Sequence, residues 1–301
     1  MAKRKNMFYQ SKPIWLTLLG LVGLGLLISV LLQGKDVALF NPKGVIAKEQ
    51  LRLLIFSVVV LLQIAIPTLA VFYFVAWKYR ESNEKAVYKP LARTSYALVI
   101  GMWLVPSISM IILAAVMWPA THRLAPQKLI DNGVKPLTIQ VVALRWKWLF
   151  IYPEQNIATV NYVQIPANIP VQFKLTADES PMSSFWIPHL GGQLYAMTGH
   201  VNQLNLMADT LGDYGGSSAE INGPGFAGMK FITRVSSIQD FDDWTQKVKL
   251  SNKALDASEY QSLLTPSENN KAVFYSNTEP DLYDNKIMKY GGSHENNMEH
   301  Q

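Results

Sequence analysis

The chain contains no cysteine. This excludes disulfides, thiolate zinc sites, iron–sulfur clusters, c-type haem attachment, lipidation on cysteine and any thiolate-bridged copper centre. Charge is scarce as well. Asp, Glu, Lys and Arg make up 16% of the 301 residues, against about 25% in a typical soluble domain. The scarcity is concentrated: no charged residue occurs from Pro13 to Gly34, from Leu53 to Trp77 or from Thr94 to His122. Histidine is sparse too. His122, His189, His200, His294 and His300 all lie beyond the core of the last apolar run, so no histidine of this chain can ligate a haem inside a bilayer. The chain is expected to hold no redox cofactor of its own.

What is present is apolar. A bilayer core about 30 Å thick is crossed by roughly 20 apolar residues in a helix, and all three uncharged runs qualify. The expected spans are about 14–32, 53–77 and 96–118, followed by an exposed domain from residue 119. Residues 1–118 carry a net charge of +9 and residues 119–301 a net charge of −4. Lys3, Arg4, Lys5 and Lys12 precede the first span, and Lys78, Arg80, Lys85, Lys89 and Arg93 separate the second from the third. Both groups belong on the cytoplasmic side, which puts residues 119–301 outside and argues against a nucleic-acid partner. The intervening loop is mixed, with Lys35, Lys43, Lys48 and Arg52 against Asp36 and Glu49. The first span also has the basic start of a signal peptide, but it is long for one and no A-x-A site follows it; a retained helix is expected. Pro67 and Pro106 should kink their spans, Trp77, Tyr79 and Trp118 should lie at the interfaces, and Pro119 should end the last helix.

From Pro136 the period changes to two. Leu137, Ile139, Val141 and Ala143 alternate with Thr138, Gln140, Val142 and Leu144; similar runs occupy 171–176, 203–206 and 229–234. Pro and Gly clusters, including Gly215-Gly216, separate them. Short strands with turn signals predict a β-sandwich over about 136–236. Phe241, Trp244, Val248 and Leu250 then keep helical spacing, and Ser258–Leu264 reads as a second short helix, giving a helical extension over 237–290. Residues 291–301 read as a disordered tail, in which His294, Met298 and His300 make no site.

The run Arg145-Trp146-Lys147-Trp148-Leu149-Phe150-Ile151-Tyr152-Pro153 resembles a segment of subunit II of haem–copper terminal oxidases, more narrowly of the cytochrome bo-type quinol oxidases. Asn41-Pro42-Lys43-Gly44, Ala76-Trp77-Lys78-Tyr79-Arg80, Gln193-Leu194-Tyr195-Ala196-Met197 and Gly223-Pro224-Gly225-Phe226 extend the likeness over most of the chain. The resemblance implies transmembrane helices followed by a cupredoxin-like Greek-key sandwich. It also implies a periplasmic placement of that sandwich on a bacterial inner membrane.

Relatives that deliver electrons from cytochrome c hold a dinuclear copper centre in this subunit, built from two Cys, two His, a Met and a Glu carbonyl. Laid on this chain, the motif places Ser183 and Phe226 at the histidines and Ser218 and Asn222 at the cysteines. Only Glu220 and Met229 match. The resemblance thus implies a vestigial site with no metal, no catalytic residue and no cofactor in this chain. His189 lies off the motif and is expected at the surface. Trp146 and Trp148 are expected to pack under the sandwich at the membrane surface rather than carry electrons. Typical bo-type subunits II are lipidated on a Cys, whose position holds Lys35 here. Many relatives carry a proton-uptake Glu where this chain has Val99, so uptake either bypasses this subunit or uses Glu81 or Glu84.

The family implies the complex as well. Subunit I carries two haems and a copper, subunits III and IV are further partners, ubiquinol supplies electrons, oxygen becomes water and protons are pumped. The expected role of this chain is a non-catalytic, structural and assembly subunit. Two rival readings stand in other classes. A cytochrome c oxidase subunit fails for want of Cys, and a membrane-anchored periplasmic binding or assembly module outside an oxidase is opposed only by the resemblance.

Overall fold

The computed structural model describes Gly23 and residues 36–81, 83–84 and 95–298. The first apolar run, 14–32, lies outside the described residues except for Gly23, as do Lys35, most of the basic loop after Glu84, and residues 299–301. The chain divides into Met1–Asn41 and Pro42–Gln301. In the first unit, a turn at Val37–Asn41 is held by Asn41 Nδ2 donating to Asp36 at 2.8 Å.

In the second unit, the two remaining apolar runs form helices α1 (Val45–Lys78) and α2 (Tyr96–Arg123). Both are long and apolar enough to cross a membrane. Each runs past its expected end. At about 1.5 Å per residue, the 34 residues of α1 span about 51 Å, more than a bilayer core needs. Its first turns are instead docked on the β-domain. Lys43 N–H donates to His189 O, Val45 N–H to Met207 O and Ala47 N–H to Leu190 O. Lys48 pairs with Asp209 at 2.5 Å, and Glu49 pairs with both Arg52 and Arg123. The mixed charges of this stretch are thus largely matched against carboxylates. Gly44 is required here, because a Cβ would lie 2.6 Å from Leu190 O.

Pro119 does not end α2; the helix continues to Arg123 with both Pro106 and Pro119 inside it. A proline one turn from a helix end forfeits a single backbone bond, and nearby hydroxyls compensate the local geometry. Thr121 Oγ1 donates to Met117 O at 2.8 Å, and Thr68 and Ser107 bond back a turn beside Pro67 and Pro106. Between the helices, Gln63 Nε2 donates to the buried Ser109 Oγ at 2.6 Å, a polar tie within the apolar hairpin.

The described residues beyond Arg123 include β1 (Leu137–Leu144), β2 (Lys147–Tyr152), β3 (Ile157–Val160), β4 (Tyr162–Pro166), β5 (Val171–Ala177), β6 (Ser183–Trp186), β7 (Leu194–Ala196), β8 (Asn202–Leu206), β9 (Gly212–Ser218), β10 (Lys230–Ser236) and β11 (Val273–Tyr275). They form one sheet in the order β11-β3-β2-β1-β5-β8 and another in the order β4-β10-β9-β6-β7. The β1–β5 and β4–β10 pairs are parallel and the other ladders antiparallel. This is the expected sandwich of mixed, crossing topology. Its core is aromatic: Phe185 stacks on Phe231 at 5.1 Å, and Trp148 meets both edge-on. Such pairs add about 0.5–1.5 kcal/mol each beyond their buried area.

The sheets depart from the expected pattern in two places. Gly215-Gly216 is not a turn but the middle of β9, because the Phe231 ring occupies the space a Cβ of Gly216 would need. Val142 and Leu144 do not face water. The outer face of the six-stranded sheet carries a second core in which Val142, Leu144, Leu149 and Ile151 pack beneath Tyr260 and Tyr283.

The C-terminal extension comprises α3 (Ile238–Lys249), which packs on the first core, and α4 (Ala257–Leu264) and α5 (Leu282–Met298), which supply the cover over the second. Helix α3 buries Phe241, Thr245 and Val248, whereas Leu250 lies beyond its end and is exposed. Ser237 and Asp256 cap α3 and α4 by accepting backbone N–H bonds. Lys147, inside the domain, donates from Nζ to Leu263 O and Thr265 O at 2.9 Å, closing the C-terminal end of α4. Burial pushes this lysine below its ordinary pKa. The extension is not wholly helical, since β11 joins the larger sheet. The backbone also stays helical through Met298, beyond the expected start of disorder at Gly291. No proline interrupts that stretch, and Leu282 and Tyr283 seat its first turn in the second core.

Candidate functional site

The positions singled out in the sequence come from two connections at one end of the sandwich, β5–β6 and β9–β10. Strand β6 starts at Ser183, β9 ends at Ser218, and a loop with a short 3-10 turn, Pro224–Gly228, returns the chain to β10. Ser183, Ser218, Asn222 and Met229 are all buried there. Asn222 is the hub. Its Nδ2 donates to Ser183 Oγ at 2.7 Å and to Met229 Sδ at 3.2 Å. Ser183 Oγ in turn donates to Pro181 O, and Ser218 Oγ to Glu220 O at 3.0 Å. The backbone repeats the tie, with Ser218 N–H on Met229 O and Met229 N–H on Phe226 O. Glu220 contributes only its carbonyl, its side chain being exposed, and Phe226 is half-buried beside the group. Asn222 Oδ1 is buried without a partner. Among the described residues, no group of three or more His, Asp or Glu could hold a metal ion.

Trp146 closes this end. It sits in the turn between β1 and β2 with φ of 62°, a conformation costing on the order of 1–3 kcal/mol for a bulky residue. Its indole lies against Gly223 and Gly225, where a Cβ would approach to 3.2 and 2.4 Å. Two glycines thus make the seat for one tryptophan, and packing holds the strained turn. Trp148 is not at the membrane surface; it is fully buried in the aromatic core, because β2 is covered on both faces. Nor is His189 a free surface residue. It is half-buried beside Tyr214, 5.2 Å between rings, and its carbonyl receives Lys43 N–H.

Elsewhere, a cleft of about 520 Å³ beside α3 is lined by Asp213, Arg234, Asp240, Trp244 and Lys247. Arg234 fills its charge requirement locally, with two 2.7 Å bonds to Asp213. None of the sequence-derived positions lies in it. Sequence reasoning passed over Asp178, directly after the half-apolar strand β5. That carboxylate is buried and accepts bonds from Tyr260, Lys289 and Tyr290. An ionisable residue directly after β5 was the signal.

Residues 152–236 match the family described as cytochrome c oxidase subunit II, periplasmic domain, and residues 249–294 match the COX aromatic rich motif. Cytochrome bo(3) ubiquinol oxidase subunit 2 of Pseudomonas putida is 43% identical, over 90% of this chain and 86% of that protein. Ubiquinol oxidase subunit 2 of Acetobacter aceti is 42% identical, over 88% and 87%. The chain belongs to the ubiquinol oxidase subunit 2 family. The periplasmic domain of subunit II of cytochrome oxidase from Bradyrhizobium japonicum is 22% identical, over 37% of this chain and 91% of that one, with a TM-score of 0.36. As a ubiquinol oxidase subunit 2 family member, the chain is membrane-anchored, and its sandwich is the cupredoxin-like domain of that family. The aromatic motif coincides with the C-terminal extension over the second core. Glu81 and Glu84 are exposed just past the end of α1, and Val99 lies in the second turn of α2.

Proposed function

We propose that this chain is the non-catalytic subunit II of a proton-pumping ubiquinol oxidase, one that reduces oxygen to water with electrons taken from quinol in the bilayer. The family relationship supports the complex. The interior of the loop cluster supports the absence of a dinuclear copper. Copper shared between two metals needs soft thiolate bridges, whereas the donor set here is two hydroxyls, a carboxamide and a thioether. The Asn222 amide also points its N–H bonds at the Met229 sulfur and the Ser183 oxygen, so each of those two atoms already accepts a hydrogen bond where a metal would need it. That arrangement is the observation that carries the reading. The residues do not fit the copper of the cytochrome c oxidases, and no electron step runs through them.

The chain's own residues then brace and cap. Helices α1 and α2 leave most of their apolar side chains exposed, which suits packing against subunit I and lipid. The docked turn at Lys43–Arg52 fixes the sandwich relative to the hairpin. The haems and copper reside in subunit I, with subunits III and IV as further partners, in a bacterial inner membrane with the sandwich in the periplasm. Cytochrome c is not a donor. Lys35 cannot take a thioether lipid, so anchoring does not depend on lipidation at that position. Proton uptake bypasses Val99, and exposed Glu81 and Glu84 act as solvated loop carboxylates. The test is affinity purification on this chain from its native membrane, read by the visible spectrum. A co-purifying haem-bearing subunit is expected; its absence from an intact preparation would favour an assembly module outside an oxidase.

A further inference from the structure

The COX aromatic rich motif covers the C-terminal extension, and its contacts converge on one short segment of the sandwich. The loop between β5 and β6 carries Asp178 and Glu179 and leads directly to Ser183. Asp178 is fully buried. Its Oδ2 accepts Tyr260 OH at 2.7 Å, and its Oδ1 accepts Tyr290 OH at 2.6 Å and Lys289 Nζ at 3.1 Å. Lys289 also reaches Glu179 at 2.8 Å, and the Glu179 N–H donates to the Tyr290 phenol at 3.1 Å. Gly199, with φ of 72°, lets Tyr290 in; a Cβ there would lie 3.0 Å from the Tyr290 Cβ.

The same loop is gripped from its other side. Arg145 Nε donates to Glu179 O at 2.8 Å, and the next residue, Trp146, is the one seated on Gly223 and Gly225. The loop's far end is tied to Asn222 through Ser183. The C-terminal segment, the β1–β2 turn, the β5–β6 loop and the loop at 222–225 therefore form one connected set of contacts.

We propose that the aromatic C-terminal segment is a clamp with Asp178 as its keystone, fixing the three loops that carry Trp146, Ser183 and Asn222 in a single arrangement. Burial alone would raise the Asp178 carboxyl; the bonds from Tyr290, Tyr260 and Lys289 outweigh it and hold the group below its ordinary pKa, as a carboxylate. A carboxylate is needed because only an acceptor-only group can take three donors at once. The clamp acts within this chain and stands independently of the assignment to an oxidase.

The experiment is hydrogen exchange on the full-length chain in its native complex, comparing wild type with Tyr290→Phe, Asp178→Asn and Lys289→Arg. Tyr290→Phe should raise exchange of the amides at 178–184 at least tenfold while those of β1 stay unchanged. Asp178→Asn should do more and extend the effect to 219–228. Lys289→Arg should leave 178–184 close to wild type. Faster exchange confined to 282–298 in Tyr290→Phe would mean a passively docked helix and overturn the proposal. A uniform rise that includes β1 would overturn it too, since the residue would then serve general stability.

Discussion

Two polar clusters lie five residues apart along the β5–β6 loop, and they are built oppositely. The one at Ser183, Asn222 and Met229 is neutral and leaves an acceptor, Asn222 Oδ1, unpaired. The one at Asp178 is charged, and every oxygen of its carboxylate is bonded. A neutral hydrogen bond contributes about 1 kcal/mol net, whereas each bond to a charged group contributes about 1.5–3 kcal/mol. The loop is thus held mainly from the side of the C-terminal extension, and only weakly from the side of Ser183 and Asn222.

Substitutions should separate the two clusters in order of size. Asp178→Ala leaves the Tyr260 and Tyr290 phenols without their acceptor, while Lys289 keeps Glu179, and should destabilise the domain by about 2–4 kcal/mol in denaturant melts. Acid should imitate it. The folded Asp178 pKa lies below the ordinary value of 3.8, so its contribution is present above that value and is lost as pH falls through the folded one. The stability gap between wild type and Asp178→Asn should accordingly be full at pH 6 and narrow as the pH falls below 3.8. Gly225→Ala, which drives a Cβ to 2.4 Å from the Trp146 ring, should cost about 1–3 kcal/mol and shift tryptophan fluorescence. Ser183→Ala removes two neutral bonds, to Asn222 and to Pro181 O, and should cost only about 1–2 kcal/mol. The smallest effect belongs to Arg234→Met, whose exposed pair with Asp213 should contribute less than about 1 kcal/mol. A Ser183→Ala loss as large as that of Asp178→Ala would erase the contrast.

The hairpin and the alternating strands were legible in the sequence because uncharged runs and period-two patterns report directly on their surroundings. Strand β2 was not, since cover on both faces removes alternation, and the apolar Val142 and Leu144 on the nominal outer face were the sign of a second layer. Strand β9 was hidden by Gly215 and Gly216, which read as a turn until the Phe231 ring is seen to need their empty space. At the site, the motif positions were legible one by one, but their joining through the Asn222 amide was not, because side-chain hydrogen bonds across loops leave no local pattern. Asp178 was missed for the same reason: its three donors come from residues 260, 289 and 290, far along the chain.

The most direct test of the account is oxygen uptake by the complex purified on this chain, with ubiquinol and reduced cytochrome c supplied as alternative donors. A subunit without cysteine, whose loop cluster offers only hydroxyls, a carboxamide and a thioether, gives cytochrome c nowhere to deliver an electron, so uptake should proceed with ubiquinol and stay at background with cytochrome c. Sustained uptake driven by cytochrome c would contradict the account.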